Sequence, residues 1–232
     1  MRRNKNIILA IIGITIVMLS ISYYLGTYLP ASLEYPLNRK TIVIDPGHGG
    51  IDPGKVGLYG VDEKFINFDI SMKLKEVLEI SGAKVIMTRE DNEGLYVENV
   101  PNPSWIKSQD MLQRRKIIQE SKPDIMISIH MNSFPDTNVY GPQTFYHEGD
   151  EQSEKLGKCI QEELLQVSWK ESRRVAKPNS SYFILKNHMP SLVIECGFLS
   201  NVQEEQKLND KNYQESIAWA IVKGIMRYFY EE

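Results

Sequence analysis

Short apolar runs rich in β-branched residues recur along the chain, and each run is ended by glycine, proline or polar residues. Runs of this length and composition are typical of strands that are buried on both faces of a sheet. The pattern predicts six strands, over residues 41–45, 84–88, 124–130, 143–147, 182–185 and 191–195.

Apolar residues at helical spacing lie between these runs. After Asp62, for example, Ile66, Ile70 and Leu74 share one helical face, which ends at Ser81-Gly82. Further helices are predicted over residues 108–119, 152–167 and 213–230, and the polar stretch 89–107 is predicted to be a long loop at the rim of a site. Because strands and helices alternate, we expect a single layered α/β domain with a mostly parallel sheet.

The start of the chain has a different pattern. Arg2, Arg3 and Lys5 precede residues 7–25, which carry no charge and which, at ~1.5 Å per residue, match the ~30 Å apolar core of a bilayer. We therefore predict a membrane anchor with a cytoplasmic basic tip and an extracytoplasmic remainder. A signal peptide is the alternative, with a usual apolar run of about 7 to 15 residues. The predicted plan is an anchor at 1–30, a linker at 31–39 and a catalytic domain at 40–232.

Charge and cysteine usage narrow the class of protein. Beyond residue 30, 24 Lys and Arg stand against 30 Asp and Glu, a net charge of −6. This argues against a nucleic-acid partner, because affinity for a polyphosphate comes mainly from clustered Lys and Arg. The two cysteines, Cys159 and Cys196, are too few for a disulfide framework, and whether they pair is open.

Four polar side chains stand at the ends of the predicted elements. His48, His130 and Glu195 lie at or just after the ends of three strands, and Glu63 opens the first long helix. The carboxyl ends of parallel strands meet at one edge of a sheet, so these side chains are expected to converge. Two histidines and one carboxylate are a standard set for catalytic Zn²⁺, so we predict one zinc ion on His48, Glu63 and His130. Glu195 is then the catalytic carboxylate that takes and returns a proton.

Four motifs occur in order: VIDPGHGGIDPG at 43–54, Glu63-Lys64 with Asn67, SIHMN at 128–132 and VIECGFLSN at 193–201. Together they resemble the zinc-dependent N-acetylmuramoyl-L-alanine amidases, from about residue 40 to the C-terminus. The resemblance implies a mixed six-stranded sheet flanked by helices, with the same zinc ligands and catalytic glutamate. It also implies hydrolysis of the amide between the lactyl group of N-acetylmuramic acid and L-alanine of the stem peptide in peptidoglycan.

The N-terminal segment and the shortness of the chain resemble the membrane-tethered, germination-specific amidases of spore formers. That resemblance implies a role in forming muramic-δ-lactam in the spore cortex. It places the catalytic domain in the cell envelope or in the space between the forespore membranes. A hydrolase whose metal ligands come partly from loops is also expected to use an activating protein partner there.

Two other classes of protein are weighed against the amidase. A non-catalytic peptidoglycan-binding or scaffold module on the same fold would need a broken metal set, whereas all four positions are present. A metal-free glycosidase that uses Glu63 and Glu195 as paired carboxylates would have no need for His48 or His130.

Further residues are assigned to the surroundings of the site. Asp45 and Asp52 flank His48 and are expected either to orient its ring or to cap free amides of the loop. Cys196 is expected to be a buried bystander, because successive strand residues face opposite ways, with a soft zinc ligand as the alternative. The candidate substrate contacts are Arg114, Asn132 and His188.

Overall fold

Six strands form one mixed sheet. They are β1 (Thr41–Pro46), β2 (Lys84–Met87), β3 (Ile125–Asn132), β4 (Gln143–Tyr146), β5 (Lys177–Pro178) and β6 (Ser191–Phe198), in the spatial order β2-β1-β3-β6-β4-β5. The pairs among β2, β1, β3 and β6 are parallel, β4 is antiparallel to β6, and β5 is parallel to β4. This confirms the predicted α/β domain with a mixed, mostly parallel six-stranded sheet.

The computed structural model describes residues 2–28, 35–95 and 103–231, and their side chains except those of 2–4, 6, 8–10, 25–28 and 103. Residues 29–30 of the predicted anchor segment, 31–34 of the predicted linker and 96–102 of the predicted rim loop lie outside the described residues. The contacts divide the chain into two units, Met1–Tyr35 and Pro36–Glu232. The second unit contains the whole sheet.

Helices cover both faces of the sheet in the second unit. They are α2 (Glu63–Ile80), α3 (Pro103–Ser121), α4 (Glu151–Val167), α5 (Val202–Leu208) and α6 (Lys211–Tyr230), with α1 (Arg2–Tyr28) in the first unit. Alternate strand residues enter two separate cores. Ile42 and Ile44 pack in the large core with α2, α4 and α6, whereas Val43 and Met126 pack in the smaller one with Ile118 of α3.

In the first unit, residues 2–28 form the helix α1. Among the described residues, no helix has both the length and the apolar character needed to cross a membrane. The anchor predicted over residues 7–25 is therefore not supported by the structure. The side chains of residues 8–10, within that predicted segment, lie outside the described part of the chain.

Two predicted elements differ from the structure. The strand predicted over 182–185 is wrong: Phe183–Leu185 is a 3-10 helix, with the amide of Leu185 donating to Tyr182 O, and the sixth strand is the short β5 instead. An apolar run of four residues has no period that separates a strand from a helical turn. Helix α3 begins at Pro103, before the predicted start at 108, and proline is favoured in a first helical turn.

Candidate metal centre and active site

His48 lies in the loop after β1 in a left-handed backbone conformation, with φ of 61°. This conformation is uncommon for residues other than glycine and persists only where the surroundings impose it. Two buried arginines hold the loop by its carbonyl oxygens. Arg89 donates to the carbonyls of Pro46 and Gly47, and Arg114 donates to those of Pro46 and His48. The hydrogen bonds from Arg89 and Arg114 therefore fix the backbone of the loop that carries His48.

Asp45, at the end of β1, supports this arrangement. Its carboxylate accepts hydrogen bonds from Thr88 Oγ1 (2.6 Å), Ser128 Oγ (2.7 Å) and Arg114 Nη1 (2.8 Å). Burial by itself would raise the pKa of Asp45, but the Arg114 charge and these bonds lower it to about 2. Asp45 therefore has no direct role in orienting the His48 ring. It affects the His48 backbone indirectly, because Arg114 binds both Asp45 and His48 O.

Glu63 begins α2 and lies between two histidines. His48 Nε2 is 3.3 Å and His130 Nδ1 is 3.2 Å from the same atom, Glu63 Oε1. The amides of Lys55 and Met131 donate to the Glu63 carboxylate at 2.8 and 2.9 Å and fix its direction. Burial by itself would raise the pKa of Glu63, but the two histidines hold it well below its usual range. Glu63 is therefore an anion.

Asp52 lies behind His48. Its Oδ2 accepts a hydrogen bond from His48 Nδ1 at 2.8 Å, which leaves Nε2 facing Glu63. Burial lowers the pKa of His48, but the bonds to Asp52 and Glu63 outweigh it and raise the pKa to about 9. Of the two aspartates predicted to orient this ring, Asp52 is the one in contact with it.

The residues predicted as metal ligands come together in the structure. One ligand atom from each of His48, Glu63 and His130 lies within 4.8 Å of the others. Two imidazoles and one carboxylate suit a divalent metal ion, and a carboxylate such as Asp52 behind a ligating histidine is the usual outer partner. The donor set therefore fits a catalytic metal centre. His48, Glu63 and His130 are called the metal-binding group below.

Gly47 packs directly against the His130 ring. A Cβ atom added at Gly47 would overlap the Cε1 and Nε2 atoms of that imidazole. The side chain of Asn67 also donates to Gly47 O at 3.1 Å and to Glu63 Oε1 at 3.2 Å. The close approach between this glycine and the end of β3 helps to set the direction of the His130 ring.

Glu195 lies on β6 directly opposite His130 of β3 in the parallel register. It is 6% exposed, and its Oε1 accepts a hydrogen bond from Tyr182 Oη at 2.9 Å. Burial, with a contribution from the nearby Glu63 charge, raises the pKa of Glu195 above its ordinary value. The predicted catalytic carboxylate is thus a buried acid next to the metal-binding group.

The three residues predicted to contact substrate lie in different parts of the structure. Asn132 ends β3, half-buried, with its Oδ1 accepting from the amide of Ser133. Arg114 lines the cleft but is 1% exposed and bonded to protein acceptors. His188 lines a hollow with Lys122 and Pro123, next to the amino ends of β3 and β6. This is the opposite end of the sheet from the metal-binding group, so the position of His188 does not support the predicted contact.

Three residues around the site were not predicted. Arg89 belongs to the stretch predicted to be a rim loop, but its side chain is 2% exposed and lies under the loop that carries His48. Tyr182 was assigned to a strand, and Lys107, whose Nζ is 2.8 Å from Asp52 Oδ1, was assigned to a loop. Nothing in their local sequence identifies their partners.

The cysteines take no part in the metal-binding group. Cys159 and Cys196 are both buried and both free thiols. Burial raises the pKa of Cys196 well above its ordinary value, which disfavours the thiolate that a soft metal ligand requires. The structure places Cys196 in the large core, as expected for a bystander.

The sequence matches a known family of enzymes. A family model described as N-acetylmuramoyl-L-alanine amidase matches residues 42–227. The chain belongs to this family, which confirms the predicted class of enzyme.

The chain is also similar to individual amidases. The chain is 35% identical to the germination-specific N-acetylmuramoyl-L-alanine amidase of Bacillus subtilis (strain 168), over 100% of this chain and 98% of that protein. It is 45% identical, with a TM-score of 0.82, to the CwlD amidase from Clostridioides difficile solved in complex with the GerS lipoprotein, covering 84% of this chain and 100% of that chain. The catalytic domain of CwlV from Bacillus (Paenibacillus) polymyxa var. colistinus is 27% identical, with a TM-score of 0.70, over 83% of this chain and 99% of that chain.

Proposed function

We propose that this amidase uses one zinc ion to cleave the bond between the lactyl group of N-acetylmuramic acid and L-alanine in spore-cortex peptidoglycan. The observation that carries the proposal is the convergence of His48, Glu63 and His130 at one edge of the sheet, with Glu195 paired beside His130. The similarity to the germination-specific amidase of B. subtilis supports the cortex as the setting.

His48, Glu63 and His130 would hold the zinc ion through two nitrogens and one carboxylate oxygen. When bound, zinc polarises a carbonyl group and lowers the pKa of a coordinated water from 15.7 to about 7. Asp52 keeps His48 Nε2 turned toward the centre, because it accepts the hydrogen bond from Nδ1.

Glu195 handles the proton in this proposal. It removes a proton from the attacking water and delivers it to the alanine nitrogen as the amide bond breaks. Tyr182 restrains Oε1 of the carboxylate, so that Oε2 is the atom available for the transfer. Burial of Glu195 keeps bulk water from exchanging the proton during the reaction.

The test is digestion of defined muropeptides by the wild type and two variants. The wild type is expected to release peptides with free L-alanine amino termini, to stop after chelation and to recover with added zinc. Glu195→Ala should retain zinc and lose activity by about 10²- to 10⁴-fold, the usual contribution of a general acid-base. His48→Ala should lose both zinc and activity.

Other outcomes of this digestion would identify another function. New reducing ends, in place of new amino termini, would indicate a glycosidase that uses Glu63 and Glu195. Binding without cleavage would indicate a scaffold module. Retained amidase activity in Glu195→Ala would remove this residue from the mechanism.

We also propose that residues 40–232 act as an extracytoplasmic catalytic domain that prepares cortex peptidoglycan for muramic-δ-lactam formation. The support is the similarity to the germination-specific amidase. The membrane anchor over residues 7–25 stays a prediction from the uncharged run of the sequence.

A protein partner is part of the proposal. The C. difficile CwlD structure contains the GerS lipoprotein. Because His48 lies on a loop and in a strained conformation, a partner that binds the folded chain would stabilise the zinc-binding arrangement.

A further inference from the structure

The cleft at the metal-binding group continues along α3. Next to His48 and His130 it forms a cavity of about 200 Å³. A second hollow, lined in part by Phe183, shares Lys107 and Met111 with the first. The two hollows therefore form one groove, and Lys107 lies where they join.

The Lys107 ammonium is held in place but keeps free donors. Its side chain is 56% exposed, and Nζ donates to Asp52 Oδ1 at 2.8 Å, while Asp52 is itself bound to His48. An ammonium group has three N–H donors. Within residues 35–95 and 103–231, Asp52 is the one carboxylate in ion-pair range of Nζ. Because Lys107 lines both hollows, its remaining donors are available to a ligand in the groove.

Among the described residues that line the groove, Lys107 is the one accessible cationic side chain, and the floor is apolar. Its other cationic side chain, Arg114, is 1% exposed and bonded to Asp45, Asp110 and backbone carbonyls. Met111 and the partly exposed Phe183 supply apolar contact on either side of Lys107. A ligand that suits this surface is an extended peptide with a carboxylate near the scissile bond.

We propose that Lys107 forms a subsite that binds a free carboxylate of the stem peptide and so sets the substrate specificity of the amidase. This inference rests on the proposed function. The peptide leaves on hydrolysis, so it must occupy a groove that leads away from the metal-binding group, and this groove does so. A carboxylate bound to Lys107 would place the amide next to His48 and Glu195.

The experiment compares two muropeptides that differ only in the residue after L-alanine, which carries a free carboxylate in one and a carboxamide in the other. The readout is the ratio of kcat/KM for the two substrates. The wild type should prefer the carboxylate form, and Lys107→Met should reduce that ratio about tenfold, the size of one charge-assisted hydrogen bond. Lys107→Arg should preserve most of the preference.

Lys116→Met is the matched control. Lys116 lies on the same helix, 63% exposed and near Glu120, but outside the groove, so its loss should leave the ratio at the wild-type value. Equal losses on both substrates in Lys107→Met, or loss of bound zinc, would overturn the subsite, because Lys107 would then act through Asp52 and His48. If the wild type cleaves neither substrate, the proposed function itself fails, and the subsite with it.

Discussion

At the scale of single residues, the two oxygens of the Glu195 carboxylate have different surroundings. Oε1 accepts the hydrogen bond from Tyr182, whereas Oε2 is buried and has no hydrogen-bond partner among the described residues. A buried acceptor without a hydrogen-bond partner costs free energy of folding, so such an atom in a folded protein calls for an explanation such as a function. In the proposed mechanism, Tyr182 positions Glu195 so that one oxygen remains for the reacting water.

Replacing Tyr182 with Phe removes this hydroxyl and keeps the ring that packs against Phe145. We expect kcat to fall about tenfold with KM nearly unchanged, because a hydrogen bond to a charged group is worth roughly 1.5 kcal/mol or more. Steady-state kinetics on muropeptides measure both values. Tyr140→Phe is the control, since the Tyr140 hydroxyl donates to Glu171 O away from the metal-binding group. An unchanged kcat in Tyr182→Phe would mean that Tyr182 only packs.

The sequence correctly predicted which residues come together where their positions at the ends of predicted strands indicated it. His48, His130 and Glu195 follow strands whose carboxyl ends share one edge, and the structure brings them together with Glu63. Tyr182 gave no such sign, because a tyrosine in a short apolar run has the pattern of a core residue. For the same reason, burial of a charged residue such as Arg89 depends on acceptors that only the folded loop provides.

At the scale of elements, the buried pair of Asp45 and Arg114 joins β1 to α3. Thr88 and Ser128 bind the same carboxylate, so the segment after β2 and the middle of β3 are tied to this point as well. Removing one partner of a buried ion pair leaves the other charge uncompensated. The pair thus stabilises the base of the loop that carries His48.

Asp45→Asn should lower the free energy of unfolding by about 3 kcal/mol at pH 7. Because the folded pKa of Asp45 lies below its ordinary 3.8, at about 2, its stabilising charge is present above pH 3.8 and is lost as the pH falls through 2. The difference between variant and wild type should therefore shrink between pH 4 and pH 2. Urea unfolding across this range measures it.

The control for Asp45→Asn is Asp136→Asn. Asp136 is exposed, and among the described residues its carboxylate accepts only from Asn138 of its own loop, so its loss should cost much less. A pH-independent loss in Asp45→Asn would mean that shape, and not charge, explains the effect.

Long helices and strands were predicted from the sequence more accurately than short ones. Long helices with a continuous apolar face, such as α6, were predicted to within two residues of their start. The 3-10 turn at Phe183–Leu185 and the two-residue β5 were not, because each depends on tertiary contacts instead of local period. Helix α5 was also missed; the Asn201 side chain caps it, but seven residues show too little periodicity.

At the scale of the whole molecule, the metal-binding group is assembled from segments far apart in the chain. The loop after β1, the start of α2 and the end of β3 would each supply one ligand of the proposed zinc ion, and β6 would supply the proposed catalytic acid. Metal binding to such a site is coupled to folding, because the unfolded chain has no comparable arrangement.

With the C. difficile GerS lipoprotein as probe, the full-length chain is expected to lose zinc to a chelator more slowly than it does alone, and to show a higher Tm at limiting zinc. The reason is that a partner that binds only the folded chain shifts the equilibrium toward the zinc-binding form. His48→Ala should show no zinc-dependent rise in Tm. Tight zinc binding and full activity of the chain alone would argue against the partner.

The contact between Gly47 and the His130 imidazole has an evolutionary consequence. Any side chain at position 47 would displace a ring that belongs to a different strand. Variation in the loop is therefore limited by a neighbour that local sequence does not reveal, and descendants of this enzyme can change position 47 only if the imidazole of His130 moves.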